Sequence, residues 1–338
     1  MDAENQIIKT ILDNFKGTKG HLNEFFHSDS EIIRLGNKDY LLTVDNYSDE
    51  DHFRTNNPYV LGRNLAVSTI SDIFASGGRP VFFANSLTKA GDWDLEYINR
   101  FSKGISDVLQ ICDAVFIGGD LGYSHNWNFT GIAIGESERI VTRKGAAPGD
   151  FIYLTGPVGN GNFESASQLT KLVKGLENLF ENNIIQFPLR LKESGLVSKF
   201  ASSCIDTSDG LFKSLSIISE LNNTGFLISD IPYSDPGLKL TNSLHLPEEI
   251  LMFGESGEYE LMFTIHPQDE INMLSKSSEL DIELFKIGSI TENKQKLMQN
   301  SAQSINFNDF NIEARSFESH YDYIGELTQY LSNKLHKM

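Results

Sequence analysis

Ile205-Asp206-Thr207-Ser208-Asp209-Gly210-Leu211 sets two carboxylates and two hydroxyls within four residues and closes them with a glycine. Cys204 and Ile205 lead in as an apolar strand end. Beyond the glycine, Leu211, Leu215, Ile218 and Leu221 recur at helical spacing, so the polar knot falls where a strand hands over to a helix. Two other apolar runs also lead to an aspartate: Leu41 to Val44 delivers Asp45, and Val115 to Gly119 delivers Asp120. If these strands enter one sheet in the same direction, their carboxylates gather at its ligand-binding edge. Clustered carboxylates repel unless protons or cations intervene, so the pattern points to a hard-cation site.

The chain has 338 residues, enough for two domains with separate cores. Its formal charge of −18 argues against general binding to nucleic acid or to an anionic membrane. An acidic protein still binds a polyphosphate when divalent metal stands between the two. Two cysteines, Cys112 and Cys204, suggest neither a disulfide framework nor a zinc site. With no signal peptide and no membrane-spanning run legible, the expected location is the cytoplasm.

Around this knot the periodicity predicts an amphipathic helix over Ile7 to Phe15, strands at 31–35 and 40–44, and a polar surface loop over 46–58. A buried helix carrying Asp72 follows over Leu61 to Phe74, then a strand at 80–87 and a long helix from Asp94 to about Cys112. Gly118-Gly119-Asp120 reads as a turn. Ala147-Pro148-Gly149-Asp150 marks the expected boundary between domains 1–147 and 148–338. In the second half, Gly156 to Gly161 is a glycine-rich loop before a helix. It lacks the Lys-Ser/Thr of a P-loop, so a plain connection is its favoured reading.

Several of these fragments, in order, resemble the thiamine-monophosphate kinases of the aminoimidazole-ribonucleotide synthetase superfamily. They are Ser71-Asp72, Gly118-Gly119-Asp120, the run Thr142-Arg143-Lys144-Gly145-Ala146 through Gly149-Asp150, and the whole of Ile205 to Leu211. Asp45 with His52-Phe53, and Phe317 with Tyr321-Asp322, complete the pattern. The resemblance implies an α/β (α+β) fold of two domains, the N-terminal one forming a homodimer with a shared barrel and the C-terminal one α/β. It implies transfer of a phosphoryl group from ATP to thiamine monophosphate, with Mg2+ as cofactor. By position it assigns Asp29, Asp45, Asp72, Asp120, Asp206 and Asp209 to metal. Gly119, Asp120, Arg143 and Ser208 fall to ATP, and His52, Glu258 and Phe317 to the acceptor, with Asp209 and Arg143 in the catalytic roles.

The sequence also departs from the family pattern. Ser30 stands where the family carries a second Asp, Val44 and Leu121 replace threonines, and Gly257 takes the place of an acidic residue, with Glu258 one position later. Two other functions therefore stay open: a paralogue acting on another small substrate, and a degenerate member that binds nucleotide or serves as a scaffold. Residue by residue, simpler roles stand beside the functional ones. Ser208 and Asp209 are good helix caps, His52 is an ordinary loop histidine, and Phe317 is ordinary packing. Asp72 is harder to assign so simply, because a carboxylate on an apolar helix needs partners.

Overall fold

The computed structural model describes residues 3–15, 19–49, 57–169, 176–299 and 304–335. Helix α1 (Ala3–Leu12) precedes β1 (Glu31–Leu35) and β2 (Lys38–Ser48). Then come α2 (Pro58–Ala75), β3 (Arg79–Ala90), α3 (Leu95–Cys112), β4 (Val115–Ser124) and β5 (Asn128–Glu136). These five strands form one sheet in the order β1-β2-β5-β3-β4, in which β2, β3 and β4 run the same way.

Helix α2 is apolar almost all round and correspondingly buried from Val60 to Ala75, with sheet on one side and α3 on the other. The two helices meet backbone to backbone. A side chain at Gly62 would overlap the Phe101 carbonyl, and one at Gly104 the Tyr59 carbonyl. Asn57 caps α2 and Asp94 caps α3 through their side chains.

The second half opens with β6 (Phe151–Leu154), α4 (Asn160–Leu169), α5 (Glu177–Glu181), α6 (Leu191–Phe200), β7 (Ala201–Asp206) and α7 (Leu211–Asn222). It continues through β8 (Gly225–Ile228), α8 (Asp235–Leu244), α9 (Ile250–Phe253), β9 (Leu261–Ile265) and α10 (Glu270–Glu279). It closes with β10 (Phe285–Thr291), β11 (Lys296–Gln299), β12 (Ser304–Asn306) and α11 (His320–Leu335). Its seven strands are ordered β12-β11-β8-β10-β6-β9-β7. One face packs on α7, α9 and α11, and the other joins the core of the first half through Tyr153, Phe263 and Ile265.

Several expectations are corrected here. Asp45 and Asp206 do not end strands of one sheet: β2 and β4 belong to the five-stranded sheet and β7 to the other. Gly118-Gly119-Asp120 is not a turn but the middle of β4. Ile117 and Gly118 together stand opposite Ala84, a bulge that Gly118 accommodates at φ 117°. Gly119 then lies so close to β3 that a side chain would overlap the Asn85 carbonyl. β2 runs on to Ser48, so the expected loop begins later. Tyr321 and Tyr323 lie within α11. The stretch carrying His52 and Phe53 lies outside the described residues.

Candidate active site

Strand alternation turns Leu41, Thr43, Asp45 and Tyr47 toward α2, while Val44 points away and is exposed. The Thr43 hydroxyl lies 2.6 Å from Asp72 Oδ2 on α2 and 3.2 Å from Asp45 Oδ2. Asp29, just before β1, and Asp206, the last residue of β7, approach the same point. Carboxylate oxygens of Asp29, Asp72 and Asp206 all lie within 4.8 Å of one another. Four segments from two sheets thus deliver acidic groups to one buried place.

Burial pushes the Asp29 carboxyl up to about 6, against the pull of Arg143. Burial, reinforced by the charge of Asp206, pushes Asp45 up to about 7. Asp72 is held well above the usual carboxylate range by burial and then by Asp45, and burial raises Asp206 as well. Oδ2 of Asp29 and Oδ2 of Asp206 are buried without a hydrogen-bond partner, as are the hydroxyls of Ser30 and Ser71. Orphaned oxygens in a dry acidic cluster are costly unless a cation or protons complete them. All the donors are hard oxygens, so the set fits a Mg2+-like ion. Asp29, Asp72 and Asp206, with Asp45 beside them, are the residues that would hold it.

Arg143 reaches the cluster from the segment after β5. Its Nε and Nη2 donate to the same oxygen, Asp29 Oδ1, at 3.1 and 2.6 Å. Its backbone N–H donates to the His27 carbonyl, and its own carbonyl accepts from Asn222. Past β7 the chain wraps Asp206, whose Oδ1 accepts the Ser208 N–H at 3.3 Å. The cap position of α7 is Gly210, without any side-chain cap bond, so neither Ser208 nor Asp209 caps that helix. Asp209 instead lies at the rim, 3.2 Å from Lys213 Nζ.

Asp120 stands apart from the cluster. Asp45, Gly131, Asn85 and Gly119 form one row across β2, β5, β3 and β4. That places the neighbouring Asp120 three strand spacings from Asp45, roughly 14 Å away. It is exposed on the outermost strand. Phe317 is half-buried on the second core, its ring 5.8 Å from that of Tyr323.

The segment Glu255 to Glu260 is not the solvated loop its charges suggest. Glu258 is buried and accepts backbone N–H groups of Gly161 and Asn162 at the start of α4. The glycine-rich loop therefore cradles an internal carboxylate rather than a phosphate, and Glu258 faces the helix rather than an acceptor. Burial pushes Glu258 up to about 7. Glu260 binds Arg190 at 2.5 Å and Thr155 at 2.7 Å, and Glu255 accepts the Ala314 N–H. Between them, buried Tyr259 sits at φ 56° with its ring 4.5 Å from that of Phe187. A left-handed tyrosine is an outlier held in place by its surroundings.

Residues 27–136 match the family model described as AIR synthase related protein, N-terminal domain. A thiamine-monophosphate kinase of Pyrococcus abyssi is 28% identical over 85% of this chain and 87% of its own length. That of Escherichia coli is 28% identical over 78% of this chain and 82% of its own. Residues 27–136 thus carry an AIR synthase related N-terminal domain. The solved thiamine monophosphate kinase of Aquifex aeolicus superposes with TM-score 0.71 at 21% identity, covering 88% of this chain and 100% of that one. The fold is also that of Escherichia coli HypE, a hydrogenase maturation protein, which superposes with TM-score 0.67 at 14% identity, covering 90% of this chain and 98% of that one. The sequence assigns no site role to Thr43, Tyr47 or Tyr259, and offers Ser71 only as the neighbour of Asp72. Thr43 alone carried a signal, because it lies two residues from Asp45 on the same strand face.

Proposed function

We propose that the protein transfers the γ-phosphoryl group of ATP to thiamine monophosphate, giving thiamine diphosphate and ADP. The observation that carries this reading is the convergence of Asp29, Asp45, Asp72 and Asp206 with unpartnered oxygens left among them. The relatives named thiamine-monophosphate kinase, and a solved one titled as complexed with AMPPCP and TMP, support the choice of reaction.

The new bond joins an oxygen of the acceptor phosphate to Pγ, and the bond broken is the bridge from Pγ to ADP. That attacking oxygen is ionised at neutral pH, so no proton has to be removed and no general base is required. Alignment and charge neutralisation carry such a transfer. Asp29, Asp72 and Asp206 are the residues that would hold a Mg2+, which when bound would supply that neutralisation. The Ser208 N–H holds Oδ1 of Asp206 and so fixes that carboxylate. The ring end of the acceptor is assigned to the side of Phe317, next to a cavity of about 110 Å³ lined by Leu244, Ile250, Glu255, Ala314 and Tyr323.

We further propose a homodimer formed through β4. This strand is an outer strand of its sheet, and Val115, Phe116, Ile117, Leu121 and Tyr123 on it are all more than half exposed. An apolar strand edge of that length calls for a partner. We also infer that Asp120, about 14 Å from Asp45 within its own chain, serves the site of the other subunit. A coupled assay with ATP, Mg2+ and thiamine monophosphate tests the activity. Folded protein that yields no thiamine diphosphate rejects it.

A further inference from the structure

Asp29 and Arg143 form a pair that the transfer reaction does not by itself require. Both guanidinium donors converge on Oδ1 of Asp29, leaving Oδ2 buried and empty-handed. The Asp29 side chain is 1% exposed and that of Arg143 19%. Arg143 Nη1 also lies 3.5 Å from the Phe26 carbonyl, and its main chain is tied to His27 and Asn222. The arginine is therefore anchored on three sides, and its charge is felt by Asp72 and Asp206 as well as Asp29. Among the described residues it is the cation paired with this group of four carboxylates. Ser30 sharpens the imbalance: where the family pattern has a further aspartate, this chain has a hydroxyl, so one fixed positive charge offsets a larger share of the acidity.

From this geometry we infer that Arg143 is a built-in counter-cation: it holds Asp29 in place when no metal is present and weakens the grip of the cluster on a free divalent ion. It acts through Asp29 and is thus a positioning residue, with one carboxylate oxygen held by the arginine and the other left for the ion. A guanidinium and a divalent cation a few ångströms apart repel each other strongly in a buried site. The metal then binds well only when it arrives with anionic phosphates that offset that repulsion. The inference rests on reading the cluster as a cation site and not on the identity of the acceptor.

The test uses metal alone, with no nucleotide or acceptor, so its failure is distinct from a failure of the kinase assay. Binding of Mg2+ and of Mn2+ to the full chain is measured by calorimetry, and melting temperature is measured in chelator and in excess Mg2+. For Arg143→Gln, whose amide can still donate to Asp29 without carrying charge, affinity for metal alone rises by about tenfold or more. Its melting temperature in chelator falls below that of the wild type and is recovered by Mg2+. Arg143→Lys retains the charge and binds metal within about threefold of the wild type. Unchanged or weaker metal binding by Arg143→Gln overturns the inference, as does an Arg143→Lys variant that behaves like Arg143→Gln. Should Arg143→Gln fold only with Mg2+ present, the counter-cation role is upheld. Should it fold in neither condition, the Arg143→Lys affinity decides alone.

Discussion

Among the described residues Asp72 has no ion-pair partner, yet it sits inside a mostly apolar helix whose other charged side chain is Arg63. Replacing it tests the cluster from two sides. Asp72→Asn and Asp206→Asn each lower turnover on the order of a thousandfold, because the loss falls on charge neutralisation during transfer. Measured without metal, the same Asp72→Asn protein is more stable than wild type by about 1 kcal/mol in denaturant titration, since a buried, mutually repelling group has been neutralised. Glu258 gives the pH dependence. Its pKa in the folded protein, about 7, lies above that of an unfolded chain. The stability it confers is complete below about pH 4.3 and is lost as pH rises through 7. Denaturation of wild type and Glu258→Gln at pH 5 and pH 8 checks this: the wild type loses up to about 3 kcal/mol that the variant does not. Equal pH slopes would remove Glu258 as the cause. Individual carboxylates were legible because each ends or interrupts an apolar run. The occupation of Glu258 was not, because its donors lie about a hundred residues earlier and are backbone groups that no side-chain pattern announces.

At the level of elements, the knot from Ile205 to Leu211 was read correctly as a strand handing over to a helix, since both hydrophobic periods are intact on either side of it. The long buried helix α2 was equally plain. The glycines misled. Gly118-Gly119 carries the usual signature of a turn, and only the neighbouring strand reveals a bulge followed by a close approach. A Gly119→Ala change therefore destabilises the protein by about 2–3 kcal/mol through overlap with the Asn85 carbonyl, measurable by thermal denaturation. A loop position would tolerate it. Placement of β2 and β7 in different sheets was also beyond local pattern, because sheet membership is decided by long-range pairing. Their aspartates meet even so, since α2 packs against both strands. No helix among the described residues is long and apolar enough to cross a membrane.

Taken as a whole, the molecule has its acidic centre where the two sheets approach each other and its most apolar exposed strand at an outer edge, with Asp120 on that edge. The proposed division of the site between subunits is open to complementation. Asp120→Asn and Asp72→Asn proteins, each inactive alone, are mixed, unfolded gently and reassociated. Mixed dimers then contain one intact site, and activity returns to about a quarter of the wild-type value. No recovery, with dimers formed, would place Asp120 and Asp72 in the same chain's site or leave Asp120 without a role. A lysine at Ile117, on the same exposed strand, should give a monomer by sedimentation. The unpaired length of β4 has a kinetic consequence too. Catalysis by this protein would not be proportional to its amount: on dilution, turnover per polypeptide should decline and regain its former value on reconcentration. An assay run at a single protein level would then report how crowded the chains are as much as how fast each one works.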